Sequence, residues 1–489
     1  MRISNLVIAI SPLLIAVIFT IITYANIYTI VIAFGLWLAM VVGLYTFINF
    51  YIVSLRARSY TLHYLGRLPR LRVASLVLSY NEEPEIVMGT LLSVKDATKG
   101  FGDVYLLDDS TREDIREKLE KFCRENGIIY IHRSSRRGFK AGAINDALRI
   151  ISDKYDIVAI FDADQRPLEG FFELVLPYFE DPEVAIVQIP QGYTEIVSGV
   201  AHGARSQQEP FLRVIMRGRN GASAFSLGSG SVFRISALKE VGFFREYSIT
   251  EDVATTIPIL ERGYKVIYVD AKLIWYGEPP QDLGAYVTQQ SRWSFGYFQI
   301  APSLVKSGLK ASVFFDFFAG FLYWLKEGPL TLFELIAPIT FLLLGLPILR
   351  MDPMLYLLAY IPYMLVSVAL FIISVRGRGE YGLKEFYYHQ AVEYLAFYAI
   401  TLSFIRWVLG KKIPFKVTPK GSRKSRNVKL LIPHLIVLLL LLVSIIVGLL
   451  RIQHSYDLGY IYSVAINIFW AAYHLIFLAG GIAISTRDM

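Results

Sequence analysis

A single cysteine, Cys123, stands among 489 residues. An internal disulfide framework is therefore excluded, and the globular part of the chain suits a reducing compartment. Charged residues are also few, 18% of the chain against 54% hydrophobic, and their distribution is uneven. Acids are missing altogether from two strongly basic segments, Arg56–Arg72 and Lys411–Lys429. No clear small-x-small cleavage site follows the first apolar block, and a second block comes directly behind it. A cleaved signal peptide is therefore not expected, despite the charged start at Arg2.

What is abundant is apolar sequence in long blocks. A hydrocarbon core of about 30 Å needs roughly 20 helical residues. Leu6–Ala25, Tyr28–Val53, Pro329–Leu349, Met354–Val375, Leu430–Leu450 and Gly459–Ile484 reach that length. The two acid-free basic segments predict cytoplasmic flanks, and the short hairpin at Asn26 and Ile27 lies on the far side. Ala391–Leu409 is apolar too, but basic sequence flanks both its ends, which one crossing does not permit. With Glu393 and Arg406 among Tyr394, Tyr398 and Trp407, it reads as interfacial or re-entrant. The expectation is a multi-pass protein of the plasma membrane with about six transmembrane helices and both termini inside. Residues 1–55 would hold helices 1–2, and 70–310 a cytoplasmic globular domain. An interfacial segment and helices 3–4 would occupy 311–375, an interfacial helix and a basic loop 376–428, and helices 5–6 429–489.

Within the globular block, short Val/Ile/Leu runs at Arg72–Leu78, Val104–Leu107, Ile128–Ile131 and Ile157–Phe161 alternate with helical sequence. That order predicts an α/β domain with a mainly parallel sheet, whose ligands sit at the carboxyl ends of the strands. Polar clusters fall there: Tyr80-Asn81-Glu82, Asp108-Asp109 and Asp162-Ala163-Asp164. Two acids one residue apart at a strand end can hold Mg²⁺ or Mn²⁺ together with substrate phosphates. Lys140, in the basic glycine-containing turn Arg136–Gly142, is placed to contact a diphosphate. Each cluster alone is equally well a solvated turn or a helix cap. Thr250-Glu251-Asp252 opens a helix, where acids suit the N-terminus, and Asp252 is also a candidate general base. Gln289–Trp293 lies on an amphipathic helix starting near Asp282.

Taken together, this ordered set resembles the processive, membrane-integrated branch of glycosyltransferase family 2, the cellulose, chitin and hyaluronan synthases. Leu107–Ser110 resembles the nucleotide-binding acidic pair and Gly138–Ala143 the K-A-G phosphate motif. Asp162–Asp164 resembles the metal-binding D-x-D, Thr250–Asp252 the T-E-D motif, and Gln289–Trp293 the Q-x-x-R-W motif. Phe225–Ser229, followed by Arg234, resembles an acceptor-site stretch with Leu227 in place of cysteine. Phe415–Gly421 resembles the gating loop of cellulose synthases. Gln165 replaces a histidine usual in that branch, and no cyclic-dinucleotide-binding domain is expected after Ile484.

The resemblance implies a GT-A-like domain and an inverting transfer that polymerises a nucleotide sugar, UDP-glucose first among the choices. Asp252 would be the base, and Asp162 and Asp164 the metal ligands. Tyr80, Glu82, Asp108, Asp109, Lys140, Glu251, Gln289, Arg292 and Trp293 would contact donor or acceptor, with Phe415, Thr418 and Lys420 in the gate. Implied partners are a nucleotide-diphosphate sugar, the growing polysaccharide and the lipid bilayer, and no nucleic acid. A polymer could leave along Tyr323, Trp324, Tyr356, Tyr360 and Tyr363. The alternatives are a single-sugar transferase acting on a lipid or polyprenyl phosphate, or a synthase using UDP-GlcNAc or GDP-mannose. A transporter with a cytosolic domain is disfavoured because the apolar blocks are nearly bare of charge.

Overall fold

A computed structural model describes residues 2–487 apart from 64–65, 195, 278, 377–380 and 412–427. The sheet of the globular domain has seven strands in the order β3-β2-β1-β4-β8-β6-β9. They are β1 Val73–Ser79, β2 Gly102–Asp108, β3 Ile129–His132, β4 Ile157–Asp162, β6 Val184–Gln188, β8 Ser231–Arg234 and β9 Lys265–Tyr268. A small second sheet joins β5 Arg166–Pro167, β7 Gln191–Tyr193 and β10 Ile274–Gly277.

The large sheet is parallel except for β8, which runs against β4 and β6. Register aligns its carboxyl edge: Ser79 pairs with Asp108, and Leu78 with Asp162. Tyr80, Asp109 and Ala163 therefore leave the sheet side by side. Because β8 is reversed, the loop that precedes it, 225–230, arrives at the same edge. Strand reversal thus supplies a wall that an all-parallel sheet would lack.

Among the described residues seven helices are long and apolar enough to cross a membrane: Ile3–Thr23, Ile27–Arg58, Ala311–Leu344, Pro353–Val375, Leu383–Val408, Lys429–Gln453 and Leu458–Thr486. This is a multi-pass membrane architecture with one long apolar helix more than the six expected. The additional helix, Leu383–Val408, covers the segment read as interfacial. It lies along the globular-domain helices Gly199–Pro210 and Leu283–Lys306 as well as the last membrane helix.

The segment expected to be interfacial before the third span is continuous with that span. Ala311–Leu325 runs without a break into Thr331–Leu344 through a wide turn at Lys326–Leu330. Pro329 lacks the N–H that an α-helical ladder needs, and a wide π turn accommodates that loss. Tyr24 bridges Leu349, and Ala25 N–H donates to Ile348 at 3.0 Å, so the first hairpin and the loop after this helix are joined.

One buried core runs through both parts of the chain. Leu76, Ile144 and Ile160 of the domain belong to it, as do Phe298, Phe317, Leu395 and Val42. A separate core, around Val77, Leu106 and Phe161, fills the other face of the sheet.

Candidate active site

The carboxyl edge of the sheet opens into a cavity of about 300 Å³. Tyr80, Glu82, Asp109, Lys140, Asp162, Asp164, Glu251, Asp252, Gln289, Arg292 and Trp293 all line it. Lys140, in the first turn of helix Phe139–Ile151, is the hub. Its Nζ donates to Asp162 Oδ1 at 2.6 Å and to the Gly228 carbonyl at 2.9 Å, and lies 3.7 Å from Glu251. Burial works against its charge, but Asp162 and Glu251 outweigh that and raise its pKa.

Gly228 is in the left-handed region (φ 84°), and a Cβ there would come within 3.2 Å of Asp252 and 3.4 Å of Lys140. Glycine therefore lets the backbone approach both charged groups. Gln188, at the end of β6, fixes this loop: it accepts from Leu227 N–H at 2.7 Å and donates to the Ser229 carbonyl at 2.9 Å.

Glu251 and Asp252 open helix Glu251–Glu261, and Asp252 Oδ1 accepts from Val253 N–H at 2.8 Å. Burial, followed by repulsion from Glu251, pushes the Asp252 carboxyl up to about 7. Glu251 is raised for the same first reason, against the pull of Lys140. A carboxyl held near neutrality and facing the cavity has the proton affinity of a general base. Arg292 is lowered by burial and partly sustained by Glu251 and Asp162. Its helix, Leu283–Lys306, crosses the Thr250 side chain at Gly296, where a Cβ would lie 2.4 Å from the Thr250 methyl.

Asp108 and Asp109 part company. Asp108 is 1% exposed, accepts from Ser110 N–H and Oγ and from Tyr130 Oη, and does not line the cavity. Asp109 does, held two-pronged by Arg133 at 2.7 and 2.6 Å. Arg234 is also remote: it donates to carbonyls of Phe179, Asp181 and Val184. Phe415, Thr418 and Lys420 lie outside the described residues.

Sequence reasoning passed over Arg133, Gln188, Gln191 and Tyr193, and did not single out Arg136. Arg136 stacks its guanidinium 3.3 Å from the Tyr80 ring centre. The basic run before Gly138 was the one visible signal for it.

Among the described residues no three His, Cys, Asp or Glu side chains converge as a complete metal cage. Asp162 and Asp164 fit a cation that takes one or two carboxylates and completes its shell with donor phosphates.

A family model described as "Glycosyl transferase family group 2" matches residues 157–375. The chain is similar to the cellulose synthase catalytic subunit [UDP-forming] of Pseudomonas fluorescens (strain SBW25), 28% identical over 424 residues, covering 84% of this chain and 56% of that one. The subunit of the same name from Xanthomonas axonopodis pv. citri (strain 306) is 30% identical, again over 84% and 56%. The chain thus spans about half the length of these curated relatives. In fold it is similar to a mannosyltransferase from Pyrobaculum calidifontis in complex with GDP-Man and Mn²⁺, with TM-score 0.51 and 17% identity over 69% of this chain and 96% of that one.

Proposed function

Taking as premise that this chain carries a family 2 glycosyltransferase domain of cellulose synthase-like sequence, we propose that it polymerises a nucleotide-activated hexose on the cytoplasmic side of the plasma membrane and passes the β-linked product outward. Asp252 takes the proton from a hydroxyl of the terminal acceptor sugar. That oxygen attacks the anomeric carbon of the donor from the face opposite its phosphate. The carbon–phosphate-oxygen bond breaks, and the nucleoside diphosphate departs with the bonding pair. One displacement inverts the anomeric centre.

Lys140 and Arg292 stabilise the charge growing on the diphosphate. Asp162 and Asp164 would hold a divalent cation, which when bound neutralises part of that charge. Tyr80 and Glu82 hold the nucleoside, with Arg136 and Asp109 at the same end of the cavity. Gln289 and Trp293 support the acceptor ring, and Phe415, Thr418 and Lys420 close over the donor. UDP-glucose is the favoured donor, since the relatives above are UDP-forming cellulose synthases.

The observation that carries this reading is the convergence of Lys140, Asp162, Asp252 and Arg292, from four separate elements, on one cavity. The test is incubation of purified protein with labelled nucleotide sugars and Mg²⁺ or Mn²⁺, followed by sizing and linkage-specific hydrolase digestion. Long hydrolase-sensitive chains are expected. A product extended by one sugar only would overturn processivity.

A further inference from the structure

Asp162 ends β4, and the chain then curls into a turn in which Gln165 N–H donates to the Asp162 carbonyl at 3.0 Å. The turn brings Asp162, Asp164 and Gln165 to the wall of one cavity. Gln165 is only 5% exposed, yet its Oε1 accepts from no donor among the described residues. Leaving a buried acceptor unmatched is disfavoured, and such a group calls for a ligand that meets it.

The rest of this side chain is held in place. Arg166, the next residue, pairs in the small sheet with Trp275, two residues before Gly277. A Cβ on Gly277 would lie 2.4 Å from Gln165 Nε2 and 3.5 Å from Oε1. Glycine at 277 therefore leaves the room that the amide fills, and the nitrogen is the end pressed toward it. The oxygen belongs to the same turn as both acids. Asp162 engages Lys140 through Oδ1 at 2.6 Å. Among the described residues no histidine or cysteine lines the cavity.

We propose that Gln165 Oε1 is a third protein ligand to the divalent cation, beside Asp162 and Asp164, so that the site is built of oxygen alone and is tuned to Mg²⁺ and Mn²⁺ rather than to ions that seek imidazole, such as Ni²⁺ and Zn²⁺. The proposal rests on the reading above of a donor with a diphosphate. Carboxylate and carbonyl oxygens suit Mg²⁺ and Mn²⁺, whereas nitrogen ligands favour the later metals. A neutral amide also adds an oxygen without adding charge. A third carboxylate would repel the diphosphate that must share the same ion.

The test is a Mn²⁺ titration of the untagged full chain in detergent, with UDP and in parallel with GDP. Free Mn²⁺ is read from its electron paramagnetic resonance signal. Wild type should bind one Mn²⁺. Gln165→Leu should weaken that binding about tenfold or more, the scale reached when even an outer-shell partner of a metal ligand is lost. Gln165→Glu keeps an oxygen and should bind Mn²⁺ no more than about threefold more weakly than wild type. Gln165→His should let Ni²⁺ displace Mn²⁺ at a concentration about tenfold or more below that needed with wild type. The histidine variant decides alone if the leucine variant does not fold. An amide that only meets a hydroxyl of the donor sugar would leave the Mn²⁺ titrations of wild type and Gln165→Leu alike. That result, no Mn²⁺ bound by wild type, or Ni²⁺ displacement unchanged in Gln165→His would overturn the assignment. Nucleotide release from a labelled donor panel is followed on wild type in the same buffer. Release from no donor defeats the transferase reading and leaves a Gln165 effect standing, while release with unchanged titrations defeats Gln165 alone.

Discussion

Replacing Asp252 with asparagine separates chemistry from shape. The amide keeps the outline of the carboxylate and can still accept from Val253 N–H, a bond of 2.8 Å in the native site. It cannot take a proton, so transfer should fall ~10²–10⁴-fold, while nucleotide binding survives. Stability should move the other way. The carboxyl is raised from 3.8 to about 7 by burial and by Glu251. The folded protein therefore binds this proton more tightly than the unfolded chain. Below about pH 4 the group carries no penalty; the penalty grows as pH rises and is complete above about 7. About three pH units at 1.36 kcal/mol each set its size at about 4 kcal/mol, shared with the coupled Glu251 and Lys140.

The asparagine side chain, which does not ionise, carries no such burden. Melting of the solubilised Asp252→Asn variant should be raised over wild type at about pH 8 and nearly unchanged at about pH 4, while wild-type kcat/KM should climb with a limb near pH 7. Turnover within tenfold of wild type, or an equal melting shift at both pH values, would refute the assignment of this carboxyl as a buried base.

Three further outcomes are expected. Lys140→Met removes hydrogen bonds to a charged partner, each worth ~1.5–3 kcal/mol, so donor KM should rise roughly 10–100-fold in initial-rate assays. Exhaustive chelation should abolish transfer, and Mg²⁺ or Mn²⁺ should restore it, because Asp162 and Asp164 with donor phosphates leave no room for activity without a counter-charge; undiminished turnover after chelation would remove the cation from the site. Phe415→Ala leaves the net charge unchanged, yet polymer yield should drop sharply if the loop closes over the donor, whereas a basic linker serving only anionic headgroups predicts a normal rate.

Four of the strands, β1 to β4, are readable as short apolar runs; β2 and β4 end in aspartates, and the parallel register sets those ends level with the end of β1. What the sequence could not separate was Asp108 from Asp109. The two are adjacent, and only the inward turn of Asp108 toward Tyr130 and Ser110 distinguishes them. Gln188 is invisible for a different reason: its partners, Leu227 and Ser229, are about forty residues away and meet it only across β8. The membrane part misleads at Pro329. A proline beside Lys326 and Glu327 reads as the start of a helix, which puts those charges on a flank. The wide turn carries the helix straight through, and the spans read as bare of charge therefore present Lys326, Glu327 and Glu334 to an internal space.

The shared core between sheet and membrane helices has a practical corollary for anyone who would cut this chain. Phe298, Phe317, Leu395 and Val42 are packed with Leu76 and Ile160 in a single interior. A fragment ending near residue 310 would lose Phe317 and Leu395 from that interior and open the surface they cover to water, at roughly 25 cal/mol for every Å² of apolar surface laid bare. The sheet-bearing portion is thus not a detachable head on a membrane stalk. Its boundaries in sequence are not seams in the folded protein.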